Sequence, residues 1–150
     1  MRKILVASVM VLVALAAGIV ISKYRGGTGR TNLTPEAAVA KLVAEYNKTL
    51  PAMIDSYTRL DRVTGVARRI VYHYSLVSYP AGGRDLIDDP ERAKWLENGI
   101  VTHVCTSEQM RPARDLGVTF IYEYTAADGK RVLQFEVGPE RCLSGAATTR

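Results

Sequence analysis

Cys105 and Cys142 are the only cysteines of a 150-residue chain, and they offer two chemistries. As a thiolate, Cys105 could act as a nucleophile with His103, two residues away, as its base. Residues i and i+2 of a helix point about 200° apart, which sets His103 and Cys105 on different sides of one. As a pair the cysteines form a disulfide in an oxidising compartment, closing a loop of roughly 38 residues worth about 4 kcal/mol in the chain-entropy picture. The disulfide is the expected state; a free structural thiol and a catalytic or metal-binding thiol are its alternatives. Zinc would need the two histidines and two cysteines together, and no C-x-x-C or H-x-x-x-H spacing presents them. His73 alternates with Tyr72 and Tyr74 along an extended segment, so it lies on the opposite strand face from them. Asp85, Asp88, Asp89 and Glu91 form the densest acidic stretch. It lacks the D-x-[DN]-x-[DN]-G spacing of a calcium loop, and Asp89 stands where a helix N-cap is needed. Phosphate-cradling glycine loops, a G-x-S-x-G elbow and a Ser-His-Asp arrangement are missing. The sequence therefore assigns no catalytic residue, metal or cofactor.

The elements that must carry these residues are legible in part. Thr34-Pro35-Glu36 starts a helix with a hydroxyl cap, a proline at the first position and an acid at the positive end of the dipole. Val39, Leu42, Val43, Tyr46 and Leu50 form its apolar stripe, and Pro51 ends or kinks it. An irregular, charged strand is expected over Tyr57 to Val66 and a cleanly alternating one over Arg69 to Tyr79. A turn-rich loop, Pro80 to Asp88, leads to a second helix that Asp89-Pro90-Glu91 opens, with Ala93, Leu96, Ile100 and Val104 as its stripe. Ser107 caps a short further helix, limited by Pro112 and closed by Gly117. Val118 to Thr125 and Val132 to Val137 alternate around Asp128-Gly129 as a β-hairpin. The order α-β-β-α-(α)-β-β predicts an α+β fold, a small antiparallel sheet with helices on one face. Tyr72, Tyr74, Tyr122 and Tyr124 share their faces with Ile70, Leu76, Val118 and Phe120. They are expected in the core under the helices in preference to a stacking platform for ligands. The opposite face would then present Arg69, Val71, His73, Ile121, Glu123 and Val132, mixing apolar and charged groups as a protein-binding surface does.

Nineteen residues from Ile4 to Ser22 carry no charge. At about 1.5 Å per residue they make a helix of roughly 28 Å, long enough to cross a bilayer core. Residues 1–22 are therefore expected to be an uncleaved signal anchor, with the N-terminus inside and the domain on the outer side of the membrane. A signal peptide cleaved near Ala16 and a secreted product are the alternative. Residues 23–32, rich in glycine, form a tether; residues 33–142 form the domain and 143–150 a disordered tail. The net charge of +5 is concentrated at this end. Setting aside Arg2, Lys3, Lys23, Arg25 and Arg30 leaves fifteen basic residues against fifteen acidic ones. The domain thus lacks the basic surplus that nucleic-acid binding requires.

The run Leu50-Pro51-Ala52-Met53-Ile54-Asp55-Ser56-Tyr57-Thr58-Arg59-Leu60-Asp61 resembles a stretch of small uncharacterised bacterial envelope proteins. So does Val104-Cys105 through Gly117 to Tyr122-Glu123-Tyr124, followed by Asp128-Gly129-Lys130 and Cys142. The resemblance implies a bacterial source and an envelope location, and brings no activity or catalytic residues. The sequence points to a membrane-tethered binding or accessory module, with an envelope protein as its partner. An exported hydrolase that pairs His73 or His103 with a carboxylate is the competing reading.

Overall fold

The computed structural model describes residues 34–77 and 89–145. No helix among them is long and apolar enough to cross a membrane. The expected membrane segment and tether, the Pro80 to Asp88 loop and residues 146–150 lie outside the described residues.

Helix α1, Pro35–Tyr46, begins as its sequence predicts: the Thr34 hydroxyl accepts the Ala37 N–H at 3.2 Å, with Pro35 in the first turn. It stops short of Leu50 and Pro51 at Asn47, which caps it: the side-chain amide donates back to the Val43 carbonyl at 3.0 Å and also reaches beyond the helix. The Asn47 side chain donates to the Val63 carbonyl at 2.7 Å and accepts the Val63 N–H at 3.0 Å, acting as a one-residue strand partner. Five strands follow as one sheet in sequential order: β1 Ala52–Met53, β2 Thr58–Val66, β3 Arg69–Leu76, β4 Thr119–Thr125 and β5 Arg131–Val137. The two-residue β1 pairs with one end of β2, and Asn47 occupies the edge of β2 further along. Gly65 lets α1 lie close on β2: a Cβ there would come within 2.5 Å of Val39 Cγ1 and 2.9 Å of Val43 Cγ2.

The sheet is mixed, which corrects the expected antiparallel one. Strand β3 pairs with β4 in parallel, Arg69 opposite Thr119 and Ser75 opposite Thr125. The connection between them carries helix α2, Pro90–Thr106, and helix α3, Arg111–Asp115. A helical crossover of that length returns the chain to the end where β3 began, so β4 runs the same way. The remaining neighbours are antiparallel. Asp89 caps α2 as expected, accepting from the Glu91 and Arg92 N–H groups, both at 3.2 Å. Ser107 ends α2 instead of capping α3, and Pro112 stands in the first turn of α3, where a missing N–H costs nothing. Gly117, at φ 73°, closes it. The Arg114 guanidinium donates to the Val104 and Ser107 carbonyls, satisfying acceptors left open at the end of α2.

A last helix, α4 Pro139–Gly145, was not expected, and it takes in Leu143 to Gly145 of the predicted tail. Cys142 sits on it, and Cys105–Cys142 is a disulfide with Cα atoms 5.2 Å apart. It therefore staples the end of α2 to α4. Arg141 reinforces the junction, donating to Glu97 at 2.7 Å and to the Glu136 carbonyl at 2.9 Å.

The helices cover one face of the sheet, and the aromatic residues lie beneath them as expected. The parallel register stacks Tyr72 on Tyr122 at 5.1 Å and Tyr74 on Tyr124 at 4.8 Å. Phe135 extends the stack from Tyr122 at 5.4 Å, and Tyr46 of α1 meets Tyr72 edge-on at 5.6 Å. Burial raises the pKa of Tyr72, Tyr122 and Tyr124 well above 10, and that of Tyr74 and Tyr46 in the same direction. The folded chain thus holds these phenolic protons more tightly than the unfolded one. The stability this represents is complete below the unfolded value of 10 and is lost as pH rises above it. In an alkaline titration, tyrosinate absorbance from these rings should appear in one cooperative step together with loss of circular dichroism. A gradual rise with the fold intact would contradict their burial.

Candidate functional site

The face of the sheet away from the helices carries the polar side chains, and the register sets them in rows. Arg62, His73, Glu123 and Gln134 form one row across four strands; Thr64, Val71, Ile121 and Glu136 form the next. A third holds Arg59, Ser75, Thr125 and Arg131. Of the six residues expected on this face, Arg69, Val71, His73, Ile121 and Glu123 are on it. Val132 is not: the β4–β5 register slips between Tyr124 and Thr125, and Val132 is the bulged residue, packed against the core. A bulge sets two residues against one, so the alternation that placed Val132 with Gln134 and Glu136 breaks there.

Ile121 is on the face yet only 5% exposed. Arg69 of β3 and Glu136 of β5 form an ion pair at 2.7 Å, and since β4 lies between those strands, the pair must cross over it. Long side chains thus close over the apolar centre. Arg59 binds Asp61 at 2.5 Å, Ser75 donates to Asp61, and Ser75 and Thr125 hydroxyls are 3.3 Å apart.

His73 is the centre of the arrangement. Its Nε2 is 2.8 Å from the Thr64 hydroxyl and its Nδ1 is 3.5 Å from Glu123, whose other oxygen is 3.7 Å from Arg131. Hydroxyl, imidazole and carboxylate in line have the order of a nucleophilic relay. A relay of this type also needs donors aimed at a developing oxyanion. In a sheet the backbone N–H groups lie in the plane of the ladder, and none points out of this face. Glu123 is moreover shared with Arg131. The arrangement can orient polar groups and hold a rigid pattern of donors and acceptors.

His103 belongs elsewhere. It lines a shallow groove on the outer side of α2 with Trp95, Asn98, Gly99, Thr102 and Thr106. Trp95 is 58% exposed. Partial burial pushes the His103 imidazole below its ordinary 6.5, and no carboxylate lines the groove to oppose that. With Cys105 in the disulfide, the thiol–imidazole chemistry of the sequence has no free thiol. Among the described residues no three His, Cys, Asp or Glu side chains cluster as metal ligands would.

The chain matches no protein-family profile and, in sequence, no curated protein. Solved structures are similar in shape. A Pseudomonas aeruginosa protein described as secreted superposes with a TM-score of 0.63 at 14% identity, covering 77% of this chain and 99% of its own. A pilotin of the Vibrio vulnificus type 2 secretion system gives 0.59 at 13%, covering 72% and 91%. A pilotin of the Vibrio cholerae type II secretion system gives 0.55 at 14%, covering 72% and 92%. The fold is one that pilotins also have. Identities this low carry the architecture and leave residue roles to be argued from the chain itself.

Signals for the missed members of the face were present but masked. Arg62 and Thr64 belong to a strand whose alternation is broken at Asp61, where the β2–β3 register shifts between Leu60 and Arg62. Glu136 and Gln134 alternate correctly; only a parallel β3–β4 pairing reveals that Arg69 and Glu136 come within reach.

Proposed function

We propose that the chain is an accessory module of the bacterial envelope that binds a protein partner across the helix-free face of its sheet. The observation that carries this reading is the asymmetry of the sheet. One face is filled by helices and aromatic rings, while the other presents in-register rows of polar side chains locked by ion pairs. A preorganised polar surface on a rigid element loses little side-chain freedom on binding. The disulfide supports an oxidising compartment outside the cytoplasm. The pilotin and secreted-protein folds support an envelope or exported setting. In this reading residues 4–22 anchor the chain in the inner membrane, residues 23–32 let the domain reach, and the domain works in the periplasm.

A photoreactive amino acid placed at Thr64 or Val71 should give a discrete cross-linked adduct in the envelope fraction of intact cells. The same label at Trp95 or Thr102, in the α2 groove, should not. Adducts from the groove positions alone, or from none of the four, would refute the sheet-face reading.

A further inference from the structure

The acids of the helix-free face are each held by a base. Asp61 is bound by Arg59, Glu136 by Arg69, and Glu123 by Arg131 and His73. Arg62 is left over. It is exposed, heads the row that continues through His73 and Glu123, and has no carboxylate partner among the described residues. In an unbroken strand Asp61 would share its face with Arg59, and Arg62 would point to the helix side with Leu60. The bulge at Asp61 leaves that carboxylate with Arg59 and the Ser75 hydroxyl and brings Arg62 onto the same face. Bulges that re-aim a side chain recur beside functional sites. We infer that the partner presents a side-chain carboxylate to Arg62, beside the Thr64–His73 pair, so that the docking segment is an acidic stretch of a protein. Guanidinium and carboxylate match as a two-pronged fork, a contact that sets register as well as strength. The surplus charge of the face is one positive unit at Arg62, and an acidic segment neutralises it without disturbing the three existing pairs. This inference rests on the sheet-face reading above.

The test uses the full-length protein in detergent micelles, with an oligoglutamate peptide as probe and an oligolysine peptide as control. Oligoglutamate should shift the Arg62 side-chain N–H and the Thr64 and His73 amides saturably, and the shifts should weaken as salt is raised. Arg62→Ala should weaken binding about fivefold, the range of an exposed ion pair, while Arg62→Lys keeps part of it. Lys94→Ala, on α2, should change nothing. Shifts spread equally over exposed bases, or an affinity unchanged in Arg62→Ala, would overturn the inference. If cross-links form at Thr64 and Val71 while Arg62→Ala still binds oligoglutamate normally, only the carboxylate contact falls. If those cross-links are absent, the face and the contact fall together.

Discussion

Replacing both Cys105 and Cys142 with serine is expected to lower the unfolding free energy by about 4 kcal/mol, a drop of roughly 20 °C in melting temperature for a domain of this size. The bond closes a span of 37 residues that contains the end of α2, α3, β4 and β5. Releasing it returns the entropy of that loop to the unfolded chain. The native side has little to compensate. Helix α4 is seven residues long, and Leu143 on it is 77% exposed. Besides the disulfide, Arg141 ties this helix down through Glu97 and the Glu136 carbonyl. A partly exposed ion pair contributes about 1 kcal/mol or less. Thermal unfolding of the variant, and of the wild type with reductant, should agree. A loss below about 1 kcal/mol would mean that α2 and α4 hold together by packing that the bond merely decorates.

What could be read in advance follows a physical divide between local and non-local information. The caps at Thr34 and Asp89, the prolines behind them and the Asp128-Gly129 turn act within a few residues of chain, and each is where its chemistry places it. Clean alternation also fixed which face of β3 and β4 meets the helices, because the period of two is set by the strand itself. The parallel pairing of β3 and β4 is different. It depends on where a long crossover delivers the chain, and the alternation of either strand is the same for both directions. Bulges defeat alternation from within: one extra residue at Asp61 and one at Val132 break the continuity of face between the two sides of each strand. Hence simple alternation puts Val132 on the wrong side and hides Arg62. The burial of Ile121 could not be read at all. It arises from an ion pair between residues 67 apart in sequence, across a strand that neither belongs to. The site was legible as a face and illegible as a set of contacts.

Tyr122→Ala should cost about 3–5 kcal/mol, whereas Tyr122→Phe should stay within about 1 kcal/mol. Tyr122 is buried at the centre of the aromatic stack, with rings of Tyr72, Tyr74 and Phe135 centred 5.1, 6.4 and 5.4 Å away. Truncation removes the ring and leaves a hole bordered by three other rings on a rigid sheet, which cannot collapse to fill it. The phenylalanine keeps the ring, the stacking and the volume, and deletes only the hydroxyl. The comparison separates two roles that the sequence left in contention. In a hydrophobic core the energy resides in the ring, so alanine is severe and phenylalanine mild. In a ligand platform the ring would be partly open, so alanine would cost little stability. Chemical denaturation of the two variants measures both values on one scale. Equal losses from the two would place the energy in the hydroxyl and require a buried hydrogen-bond chain through the tyrosines. A small loss from alanine would open the aromatic face to a ligand. The stacking distances and the burial of these rings favour the first outcome, in which the tyrosine face holds the fold.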